Sequence, residues 1–139
     1  MCLCDQRTNP SYSHTLTHTT LHTGLMCVCV CVRARVCVCV AGILEITSVD
    51  VGVVAIRGLS SNYYLAISKK GEVYGEVKYG VNCRLKERIE ENGYNTYSSA
   101  QWRNRRRAMF VGLSANGRPM RGRKTRRKNT ATHFLPILV

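Results

Sequence analysis

The sequence predicts an all-β fold, a sandwich or a barrel, and three observations support this class. From residue 43 onward, short β-rich segments alternate with turn residues at a spacing of roughly 8–12 residues, as in sandwiches and barrels. Only residues 84–92 could form a helix, and that segment is short. A weak internal repeat places an apolar strand followed by a glycine at two positions 46 residues apart, which indicates a threefold β architecture.

Seven segments carry the β signal, and turn residues separate them. They are rich in β-branched, aromatic or other apolar residues and cover positions 43–46, 53–56, 63–67, 72–75, 94–97, 109–113 and 134–137. In the repeat, residues 65–68 with Gly71 correspond to residues 111–114 with Gly117. We expect both glycines to enter hairpin turns, where positive φ costs glycine little. The unit expected near Leu25 shows no such hairpin, so the first of the three units is missing.

Residues 1–41 differ in composition from the rest of the chain. They contain seven of the eight cysteines, and residues 27–40 read CVCVCVRARVCVCV after a His-Thr run at residues 14–23. Alternating purine–pyrimidine DNA translates into such pairs, since TGT-GTG encodes Cys-Val and CAC-ACA encodes His-Thr. We therefore interpret residues 1–41 as a low-complexity repeat tract that is not native domain sequence, and residues 42–139 as the domain. The Val-rich alternation would otherwise indicate a strand.

The tract predicts neither a metal site nor a membrane segment. Its Cys-x-Cys and His-x3-His spacings differ from the short Cys-x2-Cys clips of structural zinc sites, so we expect no metal and no cofactor. Arg33 and Arg35 interrupt its one long apolar run, so we expect no membrane insertion. Residues 1–10 show no apolar core and cleavage site of a signal peptide.

The net charge of +13 is concentrated at one end of the chain. Residues 1–41 carry a balance of +2, residues 42–100 are neutral, and residues 101–139 carry eleven basic residues and no acidic one. Such an end attracts a polyanion, which can be a nucleic acid, a glycosaminoglycan or an acidic membrane. Charge alone leaves these open, because a run such as residues 123–128 also fits a nuclear-localisation signal or a solvated surface.

Residues 71–94, GEVYGEVKYGVNCRLKERIEENGY, resemble the fibroblast growth factor signature. That signature has a glycine and an aliphatic residue, then Asn-Cys-x-Leu-x-Glu, then a tyrosine seven residues later. The matching positions are Gly71, Val73, Asn82, Cys83, Leu85, Glu87 and Tyr94, with valine standing where Leu, Ile or Met is usual. The segments ILEITSVDVGVVAI, ERIEENGYNTYSS, GRPMRGRKTRRKNT and HFLPI are most similar to the keratinocyte growth factor subfamily, and the resemblance covers residues 43–139.

The resemblance implies an incomplete β-trefoil. The family fold has twelve strands in three lobes; this chain supplies strands four to twelve, and the repeat tract replaces the first lobe. In such barrels the first strand pairs with the fourth and the twelfth, so its loss leaves two open edges. We therefore expect a marginally stable or unfolded chain unless residues 28–40 substitute as a strand pair.

A glycan-binding site follows from the same resemblance. Gly117, Gly122 and Thr125 match the family's glycine box, in which the backbone follows a tight path and faces its amides and flanking cations toward sulfates. The resemblance gives Thr125 the role of donating a hydroxyl hydrogen bond. The predicted heparin-binding cations are Arg118, Arg121, Arg123, Lys124, Arg126, Arg127 and Lys128. Arg103, Arg105, Arg106 and Arg107, in another loop, would widen the patch.

Heparan sulfate is the favoured polyanion once the resemblance is included. Arginine binds sulfate through a bidentate fork, and affinity should fall steeply with salt. A nucleic-acid partner is disfavoured because aromatic residues do not interleave with the basic run as they do on single-strand stacking surfaces. A basic nuclear or nucleic-acid-binding module is the alternative function.

The resemblance also implies contacts with a fibroblast growth factor receptor tyrosine kinase. Glu87, Tyr94, Leu135 and Ile137 stand where the family contacts the immunoglobulin-like domains of the receptor. Thr47 and Arg88 resemble subfamily contacts that select its epithelial splice form. An aromatic with two aliphatic residues makes an apolar anchor, and a carboxylate fixes register. Without the resemblance, Leu135 and Ile137 are equally well explained as the core of a terminal strand.

These features together predict a secreted, extracellular growth factor that binds heparan sulfate and its receptor and signals epithelial proliferation and morphogenesis. An enzyme is not expected, because His133 has no evident Ser or Cys nucleophile and the carboxylates of residues 87–91 look solvated. Cys83 is expected to be a small buried residue. The resemblance allows it a disulfide with a cysteine at the position of Cys39.

Overall fold

The computed structural model describes residues 24–31, 37–59, 61–115 and 118–138, and these residues are mainly β-strand. The strands are β1 Gly24–Cys31, β2 Cys37–Asp50, β3 Val53–Gly58, β4 Tyr64–Ile67, β5 Val73–Glu76, β6 Leu85–Ile89, β7 Asn95–Asn104, β8 Arg107–Phe110 and β9 Phe134–Leu138. The helices in the described ranges are three short 3₁₀ turns, Val81–Cys83, Gly122–Lys124 and Thr130–Thr132.

Six strands close into an antiparallel barrel. β2 pairs with β1, β1 with β9, β9 with β7, β7 with β6, β6 with β3, and β3 returns to β2. The β4–β5 hairpin joins β3, and β8 folds back on the second half of β7. This arrangement confirms the predicted all-β class and agrees with a β-trefoil.

β1, which comes from the repeat tract, occupies the place of the missing first strand. On one side it pairs with β2, from Gly24 opposite Ile46 to Cys31 opposite Cys37. On the other side it pairs with β9, between Met26 with Leu138 and Val30 with Phe134. β2 and β9 hold the positions of the fourth and twelfth strands, so both edges that the sequence left open are paired. β1 and the start of β2 therefore supply the substitute strand pair without which an unstable chain was expected. β2 also runs across the predicted boundary between the repeat tract and the domain at residue 42.

The barrel interior and the hairpins against it share one apolar core. Its buried side chains are Ile46, Val54, Ile56, Ile67, Leu85, Tyr97, Met109, Val111 and Phe134. Leu65, Val73, Trp102 and Leu113 pack against it while remaining partly exposed. Burial of a large apolar side chain contributes about 1.5–3 kcal/mol, so this cluster is the main source of the domain's stability.

The helix considered for residues 84–92 is wrong, because this segment holds β6. Its five residues pair with β7, from Leu85 with Ser99 to Ile89 with Asn95, which satisfies the backbone without helical hydrogen bonds. Leu85 is fully buried while Lys86 and Arg88 are exposed. That alternation has the period of a strand with one face on the core.

A polar network fixes the loop that precedes β6. Trp102 Nε1 donates to Asn82 Oδ1 at 2.6 Å, and Asn82 Nδ2 donates to the Tyr74 hydroxyl at 2.8 Å. The Tyr74 hydroxyl in turn donates to Glu76 at 3.0 Å. Asn82 therefore joins β5 to β7, which gives the signature asparagine a structural role. Beside it, Cys83 is fully buried as expected, and burial raises the pKa of its thiol. The side chain of Cys39 lies outside the described part of the chain.

Candidate functional site

A basic loop, defined here as residues 118–128, connects β8 to β9 and presents its cations to solvent. All seven basic side chains are exposed: Arg118, Arg121, Arg123, Lys124, Arg126, Arg127 and Lys128. The backbone is fixed at several points, because Met120 N donates to Gly112 O at 2.8 Å and Gly122 N donates to Gly71 O at 2.7 Å. A fixed backbone holds the cations on one segment before any ligand arrives.

Gly122 allows this loop to lie directly on the core. A Cβ at this position would sit 2.9 Å from the Cβ of Met109, closer than real side chains approach. Gly71, at φ +86°, faces it, and a Cβ there would lie 3.0 Å from Cγ of Arg123. The predicted positive φ of Gly71 is thus present. Gly117, the other predicted turn glycine, lies outside the described residues.

Thr125 differs from the role predicted for it, because its hydroxyl is used inside the protein. Its side chain is buried, with 5% of the residue exposed. Oγ1 donates to Gly122 O at 2.6 Å and accepts from Phe110 N at 2.9 Å. The single hydroxyl proton is therefore committed to the loop backbone. Thr125 supports the basic loop from beneath, and the cations supply its outer surface.

Arg127 is the basic-loop cation that forms an ion pair within the described residues. Its Nε lies 2.8 Å and 3.1 Å from the two carboxylate oxygens of Glu90, which follows β6. Thr96 Oγ1 donates to the same carboxylate at 2.8 Å. Burial alone would raise the pKa of Glu90, but the hydrogen bonds from Thr96 and Arg127 outweigh it and lower that pKa.

We expect Glu90→Gln to lower thermal stability at neutral pH by about 1–2 kcal/mol, because it weakens two charge-assisted hydrogen bonds. A carboxyl with a lowered pKa stabilises the fold above the ordinary range near pH 4, and this contribution is lost as pH falls through the folded-state pKa. The deficit should therefore shrink in acid. Thermal melts of wild type, Glu90→Gln and the exposed neighbour Glu91→Gln across pH measure it; a deficit of equal size at every pH contradicts the assignment.

His133 lies beside the Arg127–Glu90 ion pair and has a structural role there. Its Nε2 donates to the carbonyl of Arg127 at 2.6 Å, and its Nδ1 accepts from Asn92 at 2.8 Å. The ring thus joins the end of the basic loop to the turn between β6 and β7. Both ring nitrogens are occupied by these contacts, so the ring has a structural role here.

Glu87, the predicted receptor carboxylate, is half-buried on β6 opposite Tyr97 of β7. Burial raises the pKa of Glu87, and its hydrogen bond with Tyr97 offsets only part of that shift. Burial, together with the nearby Glu87 charge, also raises the pKa of Tyr97. Glu87 N donates to Gly52 O at 2.9 Å, so the β2–β3 turn lies against this part of β6.

The other predicted receptor residues lie on several strands. Arg88 is exposed on β6, Tyr94 is half-buried just before β7, and Leu135 is half-buried on β9. Because Asn95 pairs with Phe134, the antiparallel register sets Tyr94 level with Leu135. Thr47 is on β2 opposite Ala55, separated from β6 by β3. Ile137 belongs to β9, and its side chain lies outside the described part.

A family model described as fibroblast growth factor matches residues 38–135. The chain belongs to the fibroblast growth factor family. This match confirms the resemblance given by the signature around Asn82 and Cys83, and it places the chain in a family of growth factors rather than enzymes.

The similar proteins agree with the keratinocyte growth factor subfamily. Fibroblast growth factor 10 of Homo sapiens is 60% identical over 97 residues, which are 70% of this chain and 47% of that protein. Fibroblast growth factor 22 of Mus musculus is 54% identical over 70% of this chain and 60% of its own length. Fibroblast growth factor 7 of Sus scrofa is 47% identical, over 70% of this chain and 50% of its own length. The chain spans about half the length of the curated relatives it matches.

Two exposed apolar residues near Glu87 were missed by the sequence reasoning. Val51, at the β2–β3 turn, is 89% exposed, and Ile89, at the end of β6, is 50% exposed. They flank the backbone hydrogen bond between Glu87 N and Gly52 O. A signal existed for Val51, since valine stands between Asp50 and Gly52 where turns favour polar residues. None of the helices in the part of the chain that the structure describes has the length and apolar composition of a membrane-spanning segment.

Proposed function

We propose that this chain is a secreted paracrine growth factor that binds heparan sulfate through the basic loop. The observation that carries the proposal is the exposure of seven cations on one anchored segment, six of which have no carboxylate partner among the described residues. Guanidinium groups bind sulfate through paired hydrogen bonds, and a polyanion supplies many sulfates to neighbouring cations at once. The anchored backbone reduces the ordering cost of binding.

The same proposal includes a fibroblast growth factor receptor tyrosine kinase as protein partner. The predicted receptor residues occupy three neighbouring parts of the barrel wall: Glu87 is on β6, Tyr94 is beside the β6–β7 turn and Leu135 is on β9. Val51 and Ile89 add exposed apolar area near Glu87. Tyr94 with neighbouring aliphatic side chains can form an apolar anchor for the receptor, and the Glu87 carboxylate can fix the register of the contact. Thr47 and Arg88 would select the epithelial splice form, and receptor dimerisation would then drive epithelial proliferation and morphogenesis.

Neutralising part of the basic loop tests the glycan proposal. We expect Arg123→Gln with Lys124→Gln to weaken heparin binding about tenfold at physiological salt, since each lost contact also removes a counterion-release contribution. The measurement is the dissociation constant for heparin at several salt concentrations. Lys78→Gln with Lys86→Gln removes the same net charge from residues outside the loop and serves as the control.

Competition separates the glycan proposal from its alternative. We expect heparin to displace DNA from the wild-type protein, because the aromatic residues needed to stack single-stranded bases do not accompany the basic loop. Preferential displacement of heparin by DNA, or elution from heparin near physiological salt, would favour a nucleic-acid-binding module. The receptor proposal is checked separately, by comparing binding to the two receptor splice forms for wild type, Thr47→Ala and Arg88→Ala.

A further inference from the structure

The β7–β8 hairpin carries a second cluster of cations, called here the arginine hairpin: Arg103, Arg105, Arg106 and Arg107. Arg103 pairs with Ala108 and Asn104 with Arg107, so Arg105 and Arg106 form a two-residue turn. All four arginine side chains are exposed, and none takes part in the ion pairs of the described residues. Four like charges within five residues repel one another, and a bound polyanion would relieve that repulsion.

The turn of the arginine hairpin is also strained at its centre. Arg105 has a φ of +57°, in the left-handed region that favours glycine in two-residue hairpins. The other non-glycine residue at positive φ in the described ranges is Asn62, a residue type that tolerates this conformation. A glycine at position 105 would relieve both the strain and part of the repulsion. Strain held at an exposed charged residue is typical of functional sites.

A lysine turn, Lys69 and Lys70 between β4 and β5, lies between β7, whose end forms part of the arginine hairpin, and the basic loop. Lys69 Nζ lies 5.7 Å from the centre of the Trp102 ring, next to Arg103 on β7. Both lysines are exposed, and the turn closes with Gly71 N donating to Ser68 O at 2.9 Å. Gly71, which directly follows the lysine turn, accepts the hydrogen bond from Gly122 of the basic loop at 2.7 Å.

We propose that the arginine hairpin and the lysine turn extend the basic loop into one continuous binding surface for a long sulfated glycosaminoglycan. A single polysaccharide chain would contact the basic loop, cross the lysine turn and reach the arginine hairpin. This inference rests on the proposed glycan binding of the basic loop and adds a dependence on ligand length. A short oligosaccharide occupies the basic loop alone, whereas a long one gains the contacts of the hairpin.

Heparin oligosaccharides of two lengths test the proposal. We expect Arg105→Gln with Arg106→Gln to weaken binding of a dodecasaccharide about tenfold and to leave binding of a tetrasaccharide within about twofold. By analogy with DNA, the slope of log affinity against log salt for the dodecasaccharide should fall by about two. The control is Lys78→Gln with Lys86→Gln, which lowers the net charge equally and should change both affinities alike.

A second variant separates binding from folding. We expect Arg105→Gly to raise the melting temperature, because glycine fits the positive φ, while it weakens dodecasaccharide binding. A residue with only a structural role would move stability and affinity in the same direction. The proposal is overturned if the hairpin variants weaken both oligosaccharides equally, or weaken the dodecasaccharide no more than the lysine control does. If the wild-type protein binds neither oligosaccharide, the glycan proposal for the basic loop fails as well.

Discussion

A chain that lacks residues 1–36 is expected to lose its cooperative thermal unfolding transition, because this truncation removes β1 and opens the barrel. β1 pairs with β2 along one side and with β9 along the other, so its loss exposes two strand edges at once. Each net backbone hydrogen bond contributes roughly 0.5–1.5 kcal/mol. Since the total stability of a domain is typically about 5–15 kcal/mol, the loss of a central strand exhausts it.

The truncation has a matched control and a point variant. Removing only residues 1–23 leaves every described strand intact and should preserve the transition. Val30→Pro should behave like the longer truncation, because residue 30 pairs with both Val38 and Phe134 and proline lacks the amide hydrogen that a central strand requires. Circular dichroism and calorimetry measure the result. A cooperative melt with a β spectrum in the chain lacking residues 1–36 would show that β1 is dispensable.

Glu87→Gln is expected to weaken receptor binding by at least about tenfold while it raises stability at neutral pH. Truncating one charge of a desolvated interfacial contact typically costs about 2–5 kcal/mol. In the free protein the sign is opposite, because burial raises the pKa of Glu87 and so makes its ionised form unfavourable in the folded state. Glutamine keeps the size and the polar contact to Tyr97 but carries no charge.

The pH dependence follows from that raised pKa. Below the ordinary glutamate pKa near 4.3 the carboxyl is protonated in both folded and unfolded chains, so the variant and the wild type should have the same stability. As pH rises through the higher folded-state pKa, the wild type pays for ionising a buried group and the advantage of glutamine appears. Receptor titrations and thermal melts measure the two effects, with Glu91→Gln as an exposed control. Unchanged receptor affinity in Glu87→Gln removes Glu87 from the proposed contact.

The sequence predicted the strands of the domain well where local pattern and tertiary pairing agree. β3, β4 and β9 follow apolar, β-branched or aromatic segments with turns at their ends, and the structure has them there. It failed at residues 84–92, where Lys, Glu and Arg are good helix formers but pairing with β7 decides the conformation. The role of β1 did not follow from the sequence either, because the alternation is better explained as a translated repeat than as a strand, and only its pairing with β2 and β9 gives it a structural role.

The sequence predicted which residue types form the candidate site but not the contacts that they make. The exposed cations of the basic loop follow directly from their density in the sequence. The commitment of the Thr125 hydroxyl to Gly122 and Phe110 depends on the local 3₁₀ turn, which the motif does not specify. The Glu90–Arg127 pair joins residues 37 positions apart. The strained turn at Arg105 contains no glycine from which its positive φ could have been predicted. The ion pair forms only when distant segments are brought together, and the strain at Arg105 follows from the β7–β8 register, which places a two-residue turn there.

The composition of β1 also has a consequence for changes in its length. Its residues 27–31 come from a Cys-Val alternation, and the two faces of a β-strand alternate with the same step. Insertion or deletion of one Cys-Val pair would slide the strand by two residues and return each residue type to the face it had occupied, whereas a change of one residue would exchange the faces. Variants that differ by whole Cys-Val pairs should therefore fold alike.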